Sequence, residues 1–135
     1  MQQLSSPIAP AQLRDPLAVA AHFRDLALAE REVLAIAGLD HRGRVLCEHR
    51  VHGHAFGVQA TPRDLLPAVL TSGAVAAVLV HNHPSGRLAP SQADLAFTAR
   101  FRDAAVVCGL QLLDHVIIAG GGWLSLRHAG WMELP

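Results

Sequence analysis

Apolar and polar positions along the first third of the chain predict one helix followed by two strands. Asp15 is typical of an N-cap and Pro16 of a first helical position, so a helix is predicted from about residue 16 to residue 30. The apolar stretch 32–40 and the alternating stretch 44–51 predict two strands. Because only a short polar turn separates them, we expect a β-hairpin.

The centre of the chain predicts a strand, a short helix and a buried strand. Residues 54–60 have a weaker strand pattern. Thr61 is a suitable N-cap, and the helix that it begins is expected to end near Gly73. The apolar run 74–80 is then typical of a central strand that is covered on both faces.

The C-terminal third predicts a helix and two closing strands. Ser91 is suited to cap the helix and Gly109 to end it. Strands are predicted at 110–120 and at 123–130, on either side of a glycine run. Helices placed between buried strands indicate an α/β fold, in which helices sandwich a mixed sheet in a single domain.

Length and composition are those of one soluble domain. The chain has 135 residues, of which 51% are hydrophobic, and this is enough for one core. Residues 1–13 are aperiodic and are predicted to be a flexible tail, which leaves 14–135 as the domain. No apolar run reaches the ~18 residues that span a bilayer, and the first residues do not resemble a secretory signal. A cytoplasmic location without membrane contact is therefore expected.

The charged residues exclude some functions. All eleven basic residues are arginine and the formal net charge is zero. Without lysine, Schiff-base chemistry on a lysine is excluded. A zero net charge and an aromatic content of 4% argue against strong nucleic-acid binding.

The cysteines and tryptophans receive structural interpretations. Cys108 stands at helical spacing from Phe101, and Cys47 lies in a predicted strand, so both are expected to be small core residues without a disulfide. Trp123 and Trp131 are assigned to the core or to an interface.

The stretch "HNHPSGRLAPSQAD" (81–94) contains the strongest candidates for a functional site. Two histidines spaced i, i+2 at the end of a strand point to the same side, so His81 and His83 can converge on one ion. Asp94 offers a carboxylate, and two His with one carboxylate suit an open zinc site or Fe²⁺. The competing interpretation is that Ser91 and Asp94 only form a helix capping box, although such a cap can also hold the helix start while the Asp94 carboxylate reaches the metal. A second His-x-His, His52 and His54 with His49 nearby, lacks a matching carboxylate and is interpreted as surface.

The combination of His-x-His, seven residues and Ser-x-x-Asp resembles the JAMM motif of MPN-type metalloproteases. "VLVHNHPSG", "PSQAD", "LLDHVIIAGGGWLSL" and "HGHAFGVQATPRDLL" narrow the resemblance to the JAB domain of the RadC family, over roughly residues 15–131. The resemblance implies a JAB/MPN-like fold, whose layout is similar to that of cytidine deaminases. It also implies a zinc-dependent hydrolase that cleaves a peptide or isopeptide bond.

The resemblance also implies roles for individual residues. His81, His83 and Asp94 would be the zinc ligands, and Ser91 would hydrogen-bond the oxyanion or the water. Glu32 is favoured as the general base, while spacing alone leaves Glu30 and Glu48 open. The substrate would be a peptide or a protein. Asp114 and His115 would either support a zinc histidine or only structure the sheet.

Two departures and one alternative qualify this interpretation. Asn82 stands between the histidines where deubiquitinating members have Ser or Thr, which separates subfamilies. His54 stands where the family has Thr. The alternative function is a non-catalytic JAB scaffold that acts through protein contacts or contacts associated with DNA repair. Zinc deamination is not favoured, because "HNH" and "PSQAD" lack the H-x-E glutamate and both cysteines of that motif.

Overall fold

The fold is an α/β sandwich built on one mixed sheet. The computed structural model describes residues 11–52 and 60–132. Within these residues lie the helices α1 (Pro16–His22), α2 (Pro62–Thr71) and α3 (Gln92–Val107), and a 3₁₀ helix, Arg24–Leu28. The strands are β1 (Val33–Leu39), β2 (Val45–His52), β3 (Ala76–Asn82), β4 (Gln111–Ala119) and β5 (Gly122–Ser125). None of the helices within these ranges combines the length and the apolar character that a membrane span requires.

The five strands lie in the order β2-β1-β3-β4-β5. Only β3 and β4 are parallel, and α3 forms the crossover between them. The remaining neighbours are antiparallel. The prediction of an α/β fold with a mixed sheet is confirmed.

Alternation along the strands divides the core into two layers. On one face Ala35, Val78 and Val80 pack with Phe23 and Leu26 of the α1 and 3₁₀ segment. On the other face Ile36, Leu79 and Ile117 belong to the layer that α2 and α3 cover. Because side chains alternate between the faces of a strand, His81 shares the α2/α3 face with Leu79, and Asn82 shares the opposite face with Val80.

The first predicted helix is wrong beyond its second turn. Instead of continuing to residue 30, the α-helix ends at His22 and a 3₁₀ helix follows. The tighter winding buries Phe23 and Leu26, whereas Leu17 and Leu28 are exposed. The apolar residues between 16 and 30 predicted a helix, but their number alone does not show which of their side chains pack on the sheet.

Four smaller predictions also need correction. Residues 11–13 of the predicted tail pack on the hairpin: Leu13 is buried and its N–H donates to Gly43. The last strand ends at Ser125 because the following backbone turns, with the N–H of Arg127 donating to Asp114.

Cys108, predicted to be in the core, is the exposed C-cap of α3. Trp123 and Trp131 are exposed, which contradicts a core assignment. The weak strand predicted at 54–60 falls almost wholly outside the described residues.

Candidate metal centre

Two histidines lie at the carboxyl end of the central strand. His81 is the second-last residue of β3 and is buried, with 2% of its surface exposed. His83 follows the strand, but its N–H still donates to the Ile118 carbonyl at 2.9 Å, so the edge of β4 fixes its backbone. Their ring centroids are 4.6 Å apart, and both side chains lie at the same end of the sheet.

Asp94 combines the two roles that the sequence left open. It is the third residue of α3: Ser91 Oγ accepts the Asp94 N–H at 3.0 Å, and Asp94 Oδ2 accepts the Ser91 N–H at 2.8 Å. The same carboxylate reaches the histidines, with Oδ1 3.2 Å from His81 Nε2 and Oδ2 2.9 Å from His83 Nε2. The capping box therefore orients the carboxylate toward the two rings.

A chain of hydrogen bonds determines which nitrogen of His81 bears a proton. The Thr98 hydroxyl donates to the Asp94 carbonyl at 2.7 Å, so its oxygen accepts from His115 Nδ1 at 2.6 Å. Burial lowers the pKa of His115 well below its usual range, which keeps this ring neutral. Its Nε2 is consequently an acceptor, and His81 Nδ1 donates to it at 2.7 Å. In the neutral ring of His81, the lone pair is then on Nε2.

His83 is oriented in a similar way by the loop that follows it. Its Nδ1 donates to the Arg87 carbonyl at 2.6 Å, so Nε2 faces the site. The two Nε2 atoms are 2.8 Å apart and both border the Asp94 carboxylate. Two nitrogen lone pairs and a carboxylate at this separation repel each other unless a proton or a metal cation lies between them.

The charges around the site are consistent with such a cation. The hydrogen bond with Asp94 raises the pKa of His83 despite burial, and the charge of Glu32 contributes in the same direction. Burial tends to raise the pKa of Asp94, but the hydrogen bonds with His81 and His83 outweigh it and leave the pKa lowered. The carboxylate is therefore ionised at neutral pH.

His81, His83 and Asp94 form a group that could hold a metal ion. Their ligand atoms all lie within 4.8 Å of one another, and no other cluster of this kind occurs in residues 11–52 and 60–132. Nitrogen and carboxylate donors in this ratio suit zinc, and Fe²⁺ accepts the same set. The donor set fits a metal, because hydrogen bonds at Nδ1 of both rings leave each Nε2 facing the Asp94 carboxylate.

A cleft of about 540 Å³ opens beside this group and contains the other predicted site residues. Glu32, just before β1, and Ser91 both line it. The remaining lining residues are partly apolar: Leu34, Ala60, Ser85, Arg87, Ala89, Pro90, Ala93, Phe97 and His115. Of the three glutamates left open by spacing, Glu30 is exposed and does not line the cleft, and Glu48 pairs with His22 at 3.1 Å.

The remaining polar candidates lie elsewhere or take other roles. His49 and His52 are exposed on β2, and His54 lies outside the described residues. His115 contacts His81, whereas the Asp114 carboxylate accepts from Ser125 Oγ and from the backbone after β5. His115 thus supports a predicted ligand, and Asp114 structures the sheet edge.

Sequence reasoning missed two residues. Thr98 lies one helical turn after Asp94, on the same face of α3, and this i, i+4 spacing is a signal that could have found it. Asn82 bonds to the backbone on both sides of Glu32, at Val33 and Arg31. No local sequence pattern predicts that contact, since the partners are about fifty residues apart.

Comparison with known proteins identifies the relatives of this chain. The family described as the RadC-like JAB domain matches residues 13–131. A UPF0758 protein of Xylella fastidiosa is 35% identical over 124 residues, which cover 90% of this chain and 55% of that protein. A UPF0758 protein of Stutzerimonas stutzeri is 40% identical over 102 residues, covering 75% of this chain and 46% of that protein.

The chain thus spans about half the length of the curated relatives that it matches. The match extends over the strand of His81, the helix of Asp94 and the closing strands. The fold, the motif and this match agree, and the chain belongs to the family of RadC-like JAB domains.

Proposed function

We propose that this domain is a zinc-dependent hydrolase that cleaves a peptide or isopeptide bond of a peptide or protein substrate. The observation that carries the proposal is the convergence of His81 Nε2, His83 Nε2 and the Asp94 carboxylate in the cleft that Glu32 and Ser91 also line. Three protein ligands leave a position for water or substrate, as in catalytic zinc sites.

His81, His83 and Asp94 would hold the metal. When bound, zinc acts as a Lewis acid that polarises a carbonyl and lowers the pKa of water toward ~7. The Glu32 carboxylate accepts a proton from the attacking water and delivers it to the leaving amine nitrogen. The Ser91 hydroxyl donates a hydrogen bond to the carbonyl oxygen as negative charge develops on it.

The mixed surface of the cleft supports an extended substrate. Leu34, Ala93 and Phe97 provide apolar contacts for a side chain, and Glu32, Arg87 and Asp94 supply charged groups in the same cleft. No covalent intermediate is required by this arrangement, because water is the nucleophile.

Metal content is the first test. The purified protein is expected to contain about one metal ion per chain, and the double variant His81→Ala/His83→Ala is expected to contain none. The matched control is His49→Ala/His52→Ala, which removes two exposed histidines of β2 and should leave the metal content unchanged. Full metal content in the first double variant would refute the site.

Turnover is the second test, with a library of peptides and isopeptide-linked peptides as substrates. Glu32→Gln is expected to retain the metal and lose hydrolysis. Glu30→Gln changes an exposed glutamate two residues away and should leave both unchanged. A metal-loaded wild type without turnover on any member of the library would favour the alternative function, a scaffold that acts through protein contacts.

A further inference from the structure

The side chain of Asn82 binds the backbone on both sides of Glu32. Its Oδ1 accepts the N–H of Val33 at 2.7 Å, and its Nδ2 donates to the carbonyl of Arg31 at 3.0 Å. A longer contact of 3.5 Å joins Nδ2 to the Ala29 carbonyl. Asn82 is buried, with 2% of its surface exposed, so water does not compete strongly for these bonds.

The position explains why a carboxamide is suited to this role. In the β1–β3 ladder Leu34 lies opposite His81, so the next pair outward is Val33 and Asn82, where both strands end. There the side chain supplies the acceptor for the Val33 N–H. A carboxamide presents an acceptor and a donor on separate atoms, and both backbone partners fix which atom is which.

Glu32 has little else to hold it. Among residues 11–52 and 60–132 its carboxylate makes no hydrogen bond or ion pair. It is half-buried at the cleft, and its charge acts on His83. Its place relative to the histidines therefore depends on the path of the backbone from Arg31 to Val33.

We propose that Asn82 is a positioning residue that holds Glu32 in a fixed place relative to His81 and His83. Asn82 is adjacent in sequence to both histidines, but its side chain lies on the opposite face of β3, where it meets the segment leading into β1. Two consecutive residues of β3 therefore serve the site from opposite faces of the strand. His81 is a proposed metal ligand on one face, and Asn82 positions the proposed base, Glu32, from the other. The consequence for turnover rests on the proposed function, whereas the backbone clamp does not.

Two physical measurements test the clamp without turnover. In Asn82→Ala, hydrogen exchange of the Val33 amide is expected to accelerate about tenfold, since one hydrogen bond is lost, while amides in the middle of β1 stay protected. With Co²⁺ alone as the paramagnetic probe, the pseudocontact shifts of the Glu32 amide should change, and those of Asp94 should not. Asn82→Asp retains the acceptor for Val33 and should keep the slow exchange of that amide.

The control is Ser125→Ala, which removes a buried polar side chain whose hydroxyl donates to Asp114 on the far edge of the sheet. It should lower stability without moving the Glu32 signals. Unchanged Val33 exchange and unchanged Glu32 shifts in Asn82→Ala would overturn the proposal. If the chain binds no Co²⁺, the proposed metal site fails, and the exchange rate of Val33 alone decides on the clamp.

Where the wild type turns over a peptide, Asn82→Ala is expected to lower kcat by about a hundredfold, with KM and metal content nearly unchanged, because the base is misplaced by about 1 Å. Asn82→Asp should recover part of this loss. A fall in metal content that accounts for the whole loss of kcat would contradict a role through Glu32.

Discussion

His81 donates a hydrogen bond from Nδ1 to Nε2 of His115, at 2.7 Å, and this bond leaves its other nitrogen free for a metal. His115 can accept because its own Nδ1 donates to Thr98, whose hydroxyl in turn donates to the carbonyl of Asp94. The chain of hydrogen bonds therefore runs from one proposed ligand to the backbone of another. Such supporting bonds fix the ring orientation and raise the basicity of a metal ligand.

Thr98→Val tests this chain with a substitution that keeps the shape of the side chain. His115 loses its acceptor, so the proton distribution on His115 and His81 is no longer determined. Zinc affinity, measured by competition with a chromophoric chelator, is expected to fall about ten- to hundredfold. Thr71→Val is the control, because Thr71 bonds the carbonyl four residues back in the same way, on the exposed side of α2. Equal zinc affinity in the Thr98 variant and wild type would show that the chain does not set the tautomer.

The sequence predicted the elements that position the site, because these have strong local signals. Capping residues marked the starts of α2 and α3, and the apolar run before His81 marked the central strand. The pattern also brought His81, His83 and Asp94 together, since a strand end followed by a capped helix constrains where they lie. The pattern also allowed Asp94 to cap the helix and to face the histidines at the same time, and the structure shows both contacts.

Long-range contacts were beyond the sequence pattern. The bonds of Asn82 to Arg31 and Val33 join residues that are 51 and 49 positions apart, respectively. The turn from α1 into the 3₁₀ helix depends on where Phe23 and Leu26 meet the sheet, which local propensity does not encode. Spacing alone left three glutamates as candidates for the base. Glu32 was selected by resemblance, and it is the one of the three that lines the cleft.

Gly38 is predicted to tolerate no side chain. A Cβ built on it would lie 2.8 Å from Cys47 Sγ and 3.0 Å from Ala74 Cβ, directly before the register shift that ends the β1–β2 ladder. Gly38→Ala is expected to lower the free energy of unfolding by about 1–3 kcal/mol, measured by urea denaturation. Gly121→Ala, where no heavy atom lies within 4 Å, should have a much smaller effect.

A second substitution, at Cys47, tests whether the contact with its sulfur causes the loss of stability in Gly38→Ala. In the double variant Gly38→Ala/Cys47→Ala the sulfur is absent, so the combined destabilisation is expected to be smaller than the sum of the two single changes. Additive losses would show that the clash with Ala74, or another strain, dominates.

Asp40 is predicted to make the stability of the fold depend on pH in the acidic range. Its carboxylate accepts from the N–H groups of Arg42 and Arg44 and pairs with the Arg44 side chain, and the bond from the Arg44 N–H is the main cause that lowers its pKa to about 2. A folded-state pKa below the unfolded value stabilises the fold above pH ~3.9, and this stabilisation is lost as the pH falls toward 2.

The measurement compares urea midpoints of the wild type and Asp40→Asn at pH 6 and pH 3. The wild type is expected to be more stable at pH 6, and the difference should shrink at pH 3. For Asp103→Asn, at an exposed position on α3, the difference in urea midpoint from the wild type should be the same at pH 6 and pH 3. A difference that stays constant between the two pH values would mean that the Asp40 carboxylate does not contribute through its charge.

Ser91 is predicted to have two separable roles. Its Oγ accepts the N–H of Asp94 at the start of α3, which leaves its own hydrogen available to donate into the cleft. Ser91→Ala removes both functions. The free energy of unfolding of the metal-free protein is expected to fall by about 1 kcal/mol from the lost cap. The kcat is expected to fall by about 10²–10³ from the lost oxyanion donor.

Thr61→Ala separates these effects, because Thr61 forms the equivalent capping box on α2 and does not line the cleft. It should cost a similar amount of stability with kcat unchanged. If both variants lose stability and neither loses kcat, Ser91 acts only as a cap. A loss of zinc from Ser91→Ala would instead show that the cap works by holding Asp94 against the histidines, because the carboxylate that closes the capping box is the one that contacts both rings.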